Sequence, residues 1–223
     1  MPTTAQPIPD WSEIRTVLLD MDGTLLDLHF DNHFWLEHVP LRYAERHGLD
    51  PGQARAELMP RFRAMEGTLQ WYCLDHWSRE LDLDIVALKR EVAHLIRVLP
   101  QAETFLQRTR AAGKRLVLVT NAHFDALSLK LEHTGLEPWF DRVVSSHSFG
   151  TPKETQSFWH SLQEIEAFDT ETTLFADDSL PVLRAARDYG IRYLVAMRQP
   201  DSQRPVREIN EFTSVQALME LLD

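Results

Sequence analysis

Residues 15–24 read Arg15-Thr-Val-Leu-Leu-Asp20-Met-Asp22-Gly-Thr24, and this stretch decides the fold. A short run of aliphatic and β-branched residues that ends in turn residues predicts a buried strand. Two carboxylates follow directly, and Gly23 lets the chain turn sharply away. Ligands of open parallel sheets bind beyond the carboxyl ends of the strands. The stretch therefore predicts a ligand site, although an ordinary Asp-Gly turn has the same composition.

Four further apolar runs predict strands, at 115–120, 142–145, 172–176 and 191–196. Helical patterns alternate with them at 102–112, 123–134, 154–167 and 180–189. Gly113, Gly135 and Gly190 follow three of these helices, as glycine commonly does after a last turn. Strands that alternate with helices indicate a parallel sheet covered on both faces. The predicted fold class is α/β, with a Rossmann-like parallel sheet.

One long segment interrupts this alternation, since about ninety residues without a strand exceed an ordinary connection. The segment predicts helices at 34–47, 52–65 and 85–98, and a further helix with Leu69, Cys73, Trp77 and Leu81 on one face. We therefore predict a helical domain at 27–99, inserted into an α/β domain formed by 1–26 and 100–223.

The composition narrows the classes of partner. A formal net charge of −11 disfavours nucleic-acid polymers and anionic membranes, which both attract clustered Lys and Arg. Residues 1–10 lack a basic segment followed by an apolar run, so we predict no signal peptide, no membrane span and a cytoplasmic monomer or small homo-oligomer. None of the ten histidines lies in a His-Glu-x-x-His motif, so we interpret them as surface or core residues, and Cys73 as a packing residue.

The other predicted strands also end in polar residues. Thr120 and Asn121 provide a hydroxyl and an amide, and either could bind a phosphate or simply cap a helix. Lys153 lies where a helix begins, an unfavourable place for a positive charge unless that charge has another use. Asp177 and Asp178 follow an apolar run, where they need a cation or donors. Together these groups predict an Mg²⁺ site, because hard carboxylate oxygens suit this ion.

The four motifs Asp20-Met-Asp22-Gly-Thr24, Thr120-Asn121, Lys153 and Asp177-Asp178, in this order, resemble the haloacid dehalogenase superfamily of phosphatases. The resemblance covers the whole chain and implies an all-helical (C1-type) cap. It implies that Asp20 is the nucleophile that forms an aspartyl-phosphate, and that Asp22 is the general acid and base. Thr120, Asn121 and Lys153 would bind the phosphoryl group.

The resemblance also implies a metal shell of Asp20, the backbone carbonyl of Asp22, and Asp178, with Asp177 behind it or sharing its role. The chain departs from the family pattern in two places. The helper acid that often follows the last motif is absent from 180–183, and Glu154 replaces the proline that often follows the lysine.

Segments within 27–35, 68–77, 120–123, 130–135 and 146–150 are similar to the bacterial GMP/IMP 5′-nucleotidase branch of the superfamily. That similarity implies a purine nucleoside monophosphate as the small-molecule substrate. Beside that similarity, Asn32, Trp35, Trp71 and Tyr72 are candidate substrate residues, and a base could stack on the aromatic ones. Trp77 shares its helical spacing with Cys73 and Leu81 and is interpreted as core.

Two alternatives remain open from the sequence. One is a phosphatase or phosphomutase acting on a sugar phosphate or phosphoglycolate. The other is a nucleotide-binding regulator without turnover, which would not need both a nucleophile and a proton donor.

Overall fold

Six parallel strands form one sheet in the computed structural model, which describes residues 10–222. The strands are β1 (Thr16–Leu19), β2 (Arg115–Thr120), β3 (Arg142–Ser145), β4 (Thr173–Asp177), β5 (Tyr193–Met197) and β6 (Thr213–Val215). Their order across the sheet is β3-β2-β1-β4-β5-β6. The predicted α/β class with a parallel sheet is confirmed. Strand β6 was not predicted, because its three residues are too few to show a pattern.

The sheet separates two apolar cores. Side chains of a strand point alternately to opposite faces, and in β1 Val17 and Leu19 lie in one core while Leu18 lies in the other. Leu19 is in register with Leu118 of β2 and Ala176 of β4. The three central strands therefore end at the same edge, where the residues that follow them are brought together.

Helices fill the long connection between β1 and β2. They are α1 (His29–His33), α2 (Val39–His47), α3 (Pro51–Met65), α4 (Leu69–Tyr72), α5 (Leu74–Leu81) and α6 (Ile85–Glu91), with a π-helical turn at Phe34–His38 and a 3-10 turn at Ala93–Leu95. We call residues 29–95 the helical insert. Its existence agrees with the sequence analysis, whereas the division of the chain into two domains stays a prediction.

Two predicted helices of the insert are wrong in extent. Cys73 has extended backbone angles (φ −85°, ψ 109°) and separates α4 from α5, so Leu74 rather than Cys73 packs inward beside Trp77. The Trp77 indole N–H donates to the Trp71 backbone carbonyl at 2.9 Å, which satisfies a group that the break leaves free. Helix α6 ends at Glu91, seven residues before the predicted end. Trp77 itself is buried, as predicted.

The remaining helices follow the sheet strands. They are α7 (Ala102–Ala111), α8 (Phe124–Thr134), α9 (Gln156–Ile165) and α10 (Leu180–Tyr189). Gly135 and Gly190 have the positive φ angles, 67° and 110°, of left-handed helix caps. Within residues 10–222, no helix combines the length and the apolar character needed to cross a bilayer. The signal-peptide prediction concerns residues 1–10, of which 1–9 lie outside the described residues.

Candidate active site

Lys153 lies at the centre of the carboxyl edge of the sheet. Its ammonium group contacts Asp20 Oδ1 at 2.5 Å and Asp177 Oδ2 at 2.8 Å, and it donates to the Val119 carbonyl at 3.1 Å. The side chain is only 2% exposed. A buried lysine needs such partners. The charge of Lys153 therefore pairs with the two carboxylates and is not a solvated surface charge. The structure thus joins two of the residues that the sequence analysis placed on separate strand ends.

Three carboxylates surround one small space beside this lysine. One oxygen each of Asp20, Asp177 and Asp178 lies within 4.8 Å of the others. Gly23 permits the approach: it has φ +89°, and a Cβ there would lie 2.8 Å from Asp178 Cγ. Three crowded carboxylates with one ammonium group leave an excess of negative charge, and this donor set fits Mg²⁺.

The pKa of Asp20 is raised to about 7, and burial is the largest cause of this rise. Lys153 acts in the opposite direction, and Asp177 raises the value further. Burial also raises the pKa values of Asp177 and Asp178, and Asp178 is raised further by the other two carboxylates. A divalent cation among these groups would favour their ionised forms. The electrostatics of the site therefore also fit a bound metal.

Asn121 connects the sheet edge to the helical insert. Its Oδ1 accepts from the Lys153 backbone N–H at 2.9 Å, and its Nδ2 donates to Glu154 Oε2 at 3.0 Å. The other oxygen of Glu154 accepts from the Tyr72 hydroxyl at 2.7 Å. The Thr120 hydroxyl accepts from the Ala122 N–H at 3.0 Å. Glu154, the residue that departs from the family pattern, thus joins the insert to the phosphate-binding candidates.

The second motif acid, Asp22, belongs to a separate charged cluster. Lys130 of α8 lies 2.7 Å from Asp22 Oδ1 and 2.6 Å from Asp31 Oδ2, and Lys89 of α6 lies 2.8 Å from Asp31 Oδ1. We call these four residues the charge tetrad. Both lysines are buried, and the side chains of the two acids are about one-fifth exposed, at 21% and 19%.

The two acids of the charge tetrad differ in pKa. Burial raises the pKa of Asp22 to about 6, although Lys130 lowers it. Burial also acts to raise the pKa of Asp31, but Lys130 and Lys89 together hold it well below its ordinary value. Asp22 can therefore gain and lose a proton near neutral pH, while Asp31 stays ionised.

A cavity of about 490 Å³ unites these groups. That volume is ordinary for a small-molecule site. Every candidate residue from the sequence lines it: Asp20, Asp22, Thr120, Asn121, Lys153, Asp177, Asp178, Asn32, Trp35, Trp71 and Tyr72. Their individual roles stay predictions.

Part of the cavity lining is aromatic. Trp35 and Trp71 lie with ring centroids 5.7 Å apart at 34°, and Phe62 packs edge-on against both. Trp77 lies behind Trp71 and is buried. Asn32 is held differently, because its Nδ2 donates to Asp201 Oδ2 at 2.6 Å. The insert therefore contributes a cluster of aromatic rings to the cavity that the carboxylates also line.

Four residues of the site were not among the candidates predicted from the sequence: Lys89, Lys130, Asp31 and Glu154. A signal was present for the lysines: Lys89 follows Ile85 by four residues, and Lys130 follows Ala126 by four, so each lies on the buried face of its helix. A lysine on an apolar face requires an acidic partner nearby. No local pattern identifies Asp31 as that partner, because 58 and 99 residues separate it from the two lysines.

The arrangement of a strand-end acid pair, a buried lysine and a further acid pair agrees with a family-model match. Residues 14–190 match the haloacid dehalogenase-like hydrolase family. The chain belongs to this family. The match includes all four motifs and the entire helical insert.

Similar proteins agree with this membership. The chain is 45% identical over 192 residues to the GMP/IMP nucleotidase YrfG of Escherichia coli and to the protein of that name in Shigella flexneri, covering 86% of each chain. Among solved structures, a HAD phosphatase from Thermococcus onnurineus superposes with a TM-score of 0.78 at 23% identity, covering 93% of this chain and 96% of that one. A putative β-phosphoglucomutase from Thermotoga maritima gives 0.67 at 18%, covering 94% and 97%. At these identities the solved structures support the fold alone.

Proposed function

We propose that this protein is an Mg²⁺-dependent phosphomonoesterase that hydrolyses purine nucleoside 5′-monophosphates, GMP and IMP, to nucleoside and phosphate. The observation that carries the proposal is the meeting of Asp20, Asp22, Lys153 and Asp178 around one cavity, which Trp35 and Trp71 also line. The 45% identity to a GMP/IMP nucleotidase supports the choice of substrate. We also propose a cytoplasmic location for this activity.

The proposed reaction has two steps. In the first, an oxygen of the Asp20 carboxylate attacks phosphorus, the ester P–O bond breaks, and Asp22 donates its proton to the departing ribose oxygen. In the second, Asp22 takes a proton from water, the water oxygen attacks phosphorus, and the bond between phosphorus and Asp20 breaks. A pKa of about 6 suits Asp22 to both roles near neutral pH.

Positive charge at the site serves the phosphoryl group. Lys153 touches Asp20 and would lie beside the transferring group, where it stabilises developing charge. Asp20, Asp177, Asp178 and the backbone carbonyl of Asp22 would hold Mg²⁺. When bound, this ion offsets the repulsion between the anionic nucleophile and the anionic phosphate.

The insert would recognise the base. Trp35 and Trp71 line the cavity, and stacking of a base on an aromatic ring is worth about 1–3 kcal/mol. Tyr72 reaches Glu154 and so couples the insert to Asn121 at the phosphate end. Base recognition and phosphate binding would therefore be linked through three side chains.

The test is phosphate release from GMP, IMP, AMP, CMP, phosphoglycolate and glucose 6-phosphate, with and without Mg²⁺. We expect metal-dependent hydrolysis with the highest kcat/KM for GMP and IMP. Asp20→Asn is the control for the nucleophile, since it keeps the shape of the side chain and should abolish turnover. Equal activity on all the phosphates would reject the nucleotide specificity, and full activity of Asp20→Asn would reject the mechanism.

A further inference from the structure

A second group of metal-ligating side chains lies outside the carboxylate site. One donor atom each of Cys73, His123 and His147 lies within 4.8 Å of the others. Asp75 adjoins this group, because its Oδ2 lies 3.7 Å from His123 Nε2. The sequence analysis interpreted the histidines as surface or core residues and Cys73 as packing, because no sequence motif joins them. The fold brings them together from three separate segments.

The members of this group come from both parts of the chain. Cys73 and Asp75 lie at the break between α4 and α5, in the helical insert. His123 directly precedes α8, and His147 lies in the 3-10 turn Ser146–His147–Ser148 that follows β3. The group therefore spans the junction between the insert and the sheet, beside the cavity that His123 lines.

His147 has the properties of an available ligand. Its Nε2 atom is buried and has no hydrogen-bond partner among residues 10–222. Burial, followed by the neighbouring His123, lowers the pKa of His147 to about 4, although backbone groups of Asn121 and Tyr72 act in the opposite direction. The ring is therefore neutral at physiological pH, the form that binds metals. A buried, unpartnered nitrogen is costly unless something binds it.

We propose that Cys73, His123 and His147, with Asp75 as the fourth ligand, bind Zn²⁺ and thereby link the helical insert to the sheet. One thiolate, two imidazoles and one carboxylate are the ligand types of tetrahedral zinc, and a thiolate disfavours Mg²⁺. Binding replaces the thiol proton of Cys73, which passes to the solvent.

The distances between the donor atoms allow them to bind one Zn²⁺ ion after small movements. Zinc bonds of about 2.0–2.3 Å place tetrahedral ligand atoms roughly 3.3–3.8 Å apart. The donors of Cys73, His123 and His147 lie within 4.8 Å of one another, so side-chain movements of about 1 Å suffice. The Asp75 side chain is 65% exposed and free to turn toward the site.

A bridge here would restrain the insert. Catalytic sites beneath a second structural unit commonly require that unit to open for release of product. Zn²⁺ between α5 and the start of α8 would oppose such opening and slow turnover. This consequence rests on the proposed function, whereas the binding site itself does not.

The binding test uses Co²⁺ as a probe on the full chain, after chelator treatment and with Mg²⁺ in excess to fill the carboxylate site. A bond between Co²⁺ and a thiolate gives a near-ultraviolet charge-transfer absorption. Cys73 is the single cysteine of the chain, so only Cys73 can produce that signal. Zn²⁺ is then added to displace Co²⁺ and remove the absorption.

Three variants make the test specific. Cys73→Ser should remove the absorption. His147→Gln should weaken Co²⁺ binding by at least about tenfold, since losing even an outer-shell partner costs about 10–100-fold. His133→Gln, which changes an exposed histidine of α8, is the matched control and should bind as the native chain does. Unchanged circular dichroism and Tm without metal would show that the variants fold.

The native chain should reach a full signal at one equivalent of Co²⁺. The absence of the absorption in the folded native chain, or equal affinity in His147→Gln, would overturn the site. In the turnover assay, Zn²⁺ should slow the native chain and His133→Gln but not Cys73→Ser. Equal inhibition of Cys73→Ser would assign the effect to the carboxylates and overturn the bridge. Absence of turnover in the native enzyme with Mg²⁺ and without Zn²⁺ would instead count against the proposed function. It would not affect the Co²⁺ binding result.

Discussion

Replacement of Lys130 by methionine tests the charge tetrad directly. The lysine lies 2.7 Å from Asp22 and 2.6 Å from Asp31, and its side chain is 2% exposed. Methionine has a similar length, so the loss of packing should be small. The substitution leaves two largely buried carboxylates with Lys89 as the single remaining cation of the tetrad. Removing one partner of a buried ion pair costs about 3–5 kcal/mol of stability. We expect the free energy of unfolding to fall by this amount at about pH 8.

The loss should depend on pH in a defined direction. Lys130 is the largest influence that lowers the pKa of Asp22, which is about 6 with the lysine present. Without Lys130 the pKa of Asp22 in the folded protein rises further. Above pH 6 the folded variant therefore holds a proton that the folded wild-type protein has released. A state that binds an extra proton loses stability as pH rises. The stability difference should therefore grow by about 1.4 kcal/mol per pH unit, or at most about 3 kcal/mol between pH 6 and about pH 8.

Urea denaturation at several pH values, in the presence of a chelator, measures this difference. Arg108→Met, on the exposed face of α7, is the control for loss of a cation and should change stability by less than about 0.5 kcal/mol. The double variant Asp31→Asn/Lys130→Met removes one anion with the cation and should recover part of the loss. A difference below about 1 kcal/mol, or one that does not change with pH, would refute the argument that Lys130 holds the charge of Asp22.

Three further substitutions test the site. Gly23→Ala should lower Mg²⁺ affinity and should lower the free energy of unfolding by about 1–3 kcal/mol more than Gly67→Ala does. Both glycines have positive φ, but only a Cβ at Gly23 would meet other atoms, at 2.8 Å. Equal losses of stability in urea denaturation would contradict this. Trp71→Ala should lower kcat/KM for GMP by about 5–150-fold, the equivalent of 1–3 kcal/mol of stacking, while leaving p-nitrophenyl phosphate nearly unaffected. Tyr72→Phe removes the hydrogen bond to Glu154 and should lower kcat/KM for GMP about tenfold, the equivalent of about 1.4 kcal/mol; an unchanged value would show that this link does not support the site.

The sheet and its polar strand ends could be predicted because both depend on local sequence. The aliphatic run 16–19 and the acids after it are adjacent in the chain, so the strand and the acids that follow it were visible together. The glycines after α8 and α10 fixed helix ends for the same reason. The polar residues at the strand ends could therefore be predicted locally, whereas the candidates in the insert rested on the family resemblance.

The features that the sequence analysis missed depend on contacts between distant segments. The break at Cys73 is stabilised by the Trp77 indole, and periodicity alone favoured a continuous helix through both residues. The charge tetrad joins acids near β1 to lysines of α6 and α8, and no spacing rule connects them. Glu154 looked like a departure from a pattern, whereas the structure gives it two hydrogen-bond partners.

The balance of charge indicates which carboxylates could bind a metal ion. Asp22 and Asp31 have two lysines, so the charge tetrad is neutral without any ion. Asp20, Asp177 and Asp178 share Lys153, and the pKa of Asp20 is raised to about 7 as a result of burial and this crowding. A cation bound there should lower that pKa and extend ionisation of Asp20, the proposed nucleophile, to more acidic pH. We therefore expect the acidic limb of the pH–rate profile to move to lower pH as Mg²⁺ increases, and a limb that stays fixed would show that Asp20 is not the group that responds to the metal.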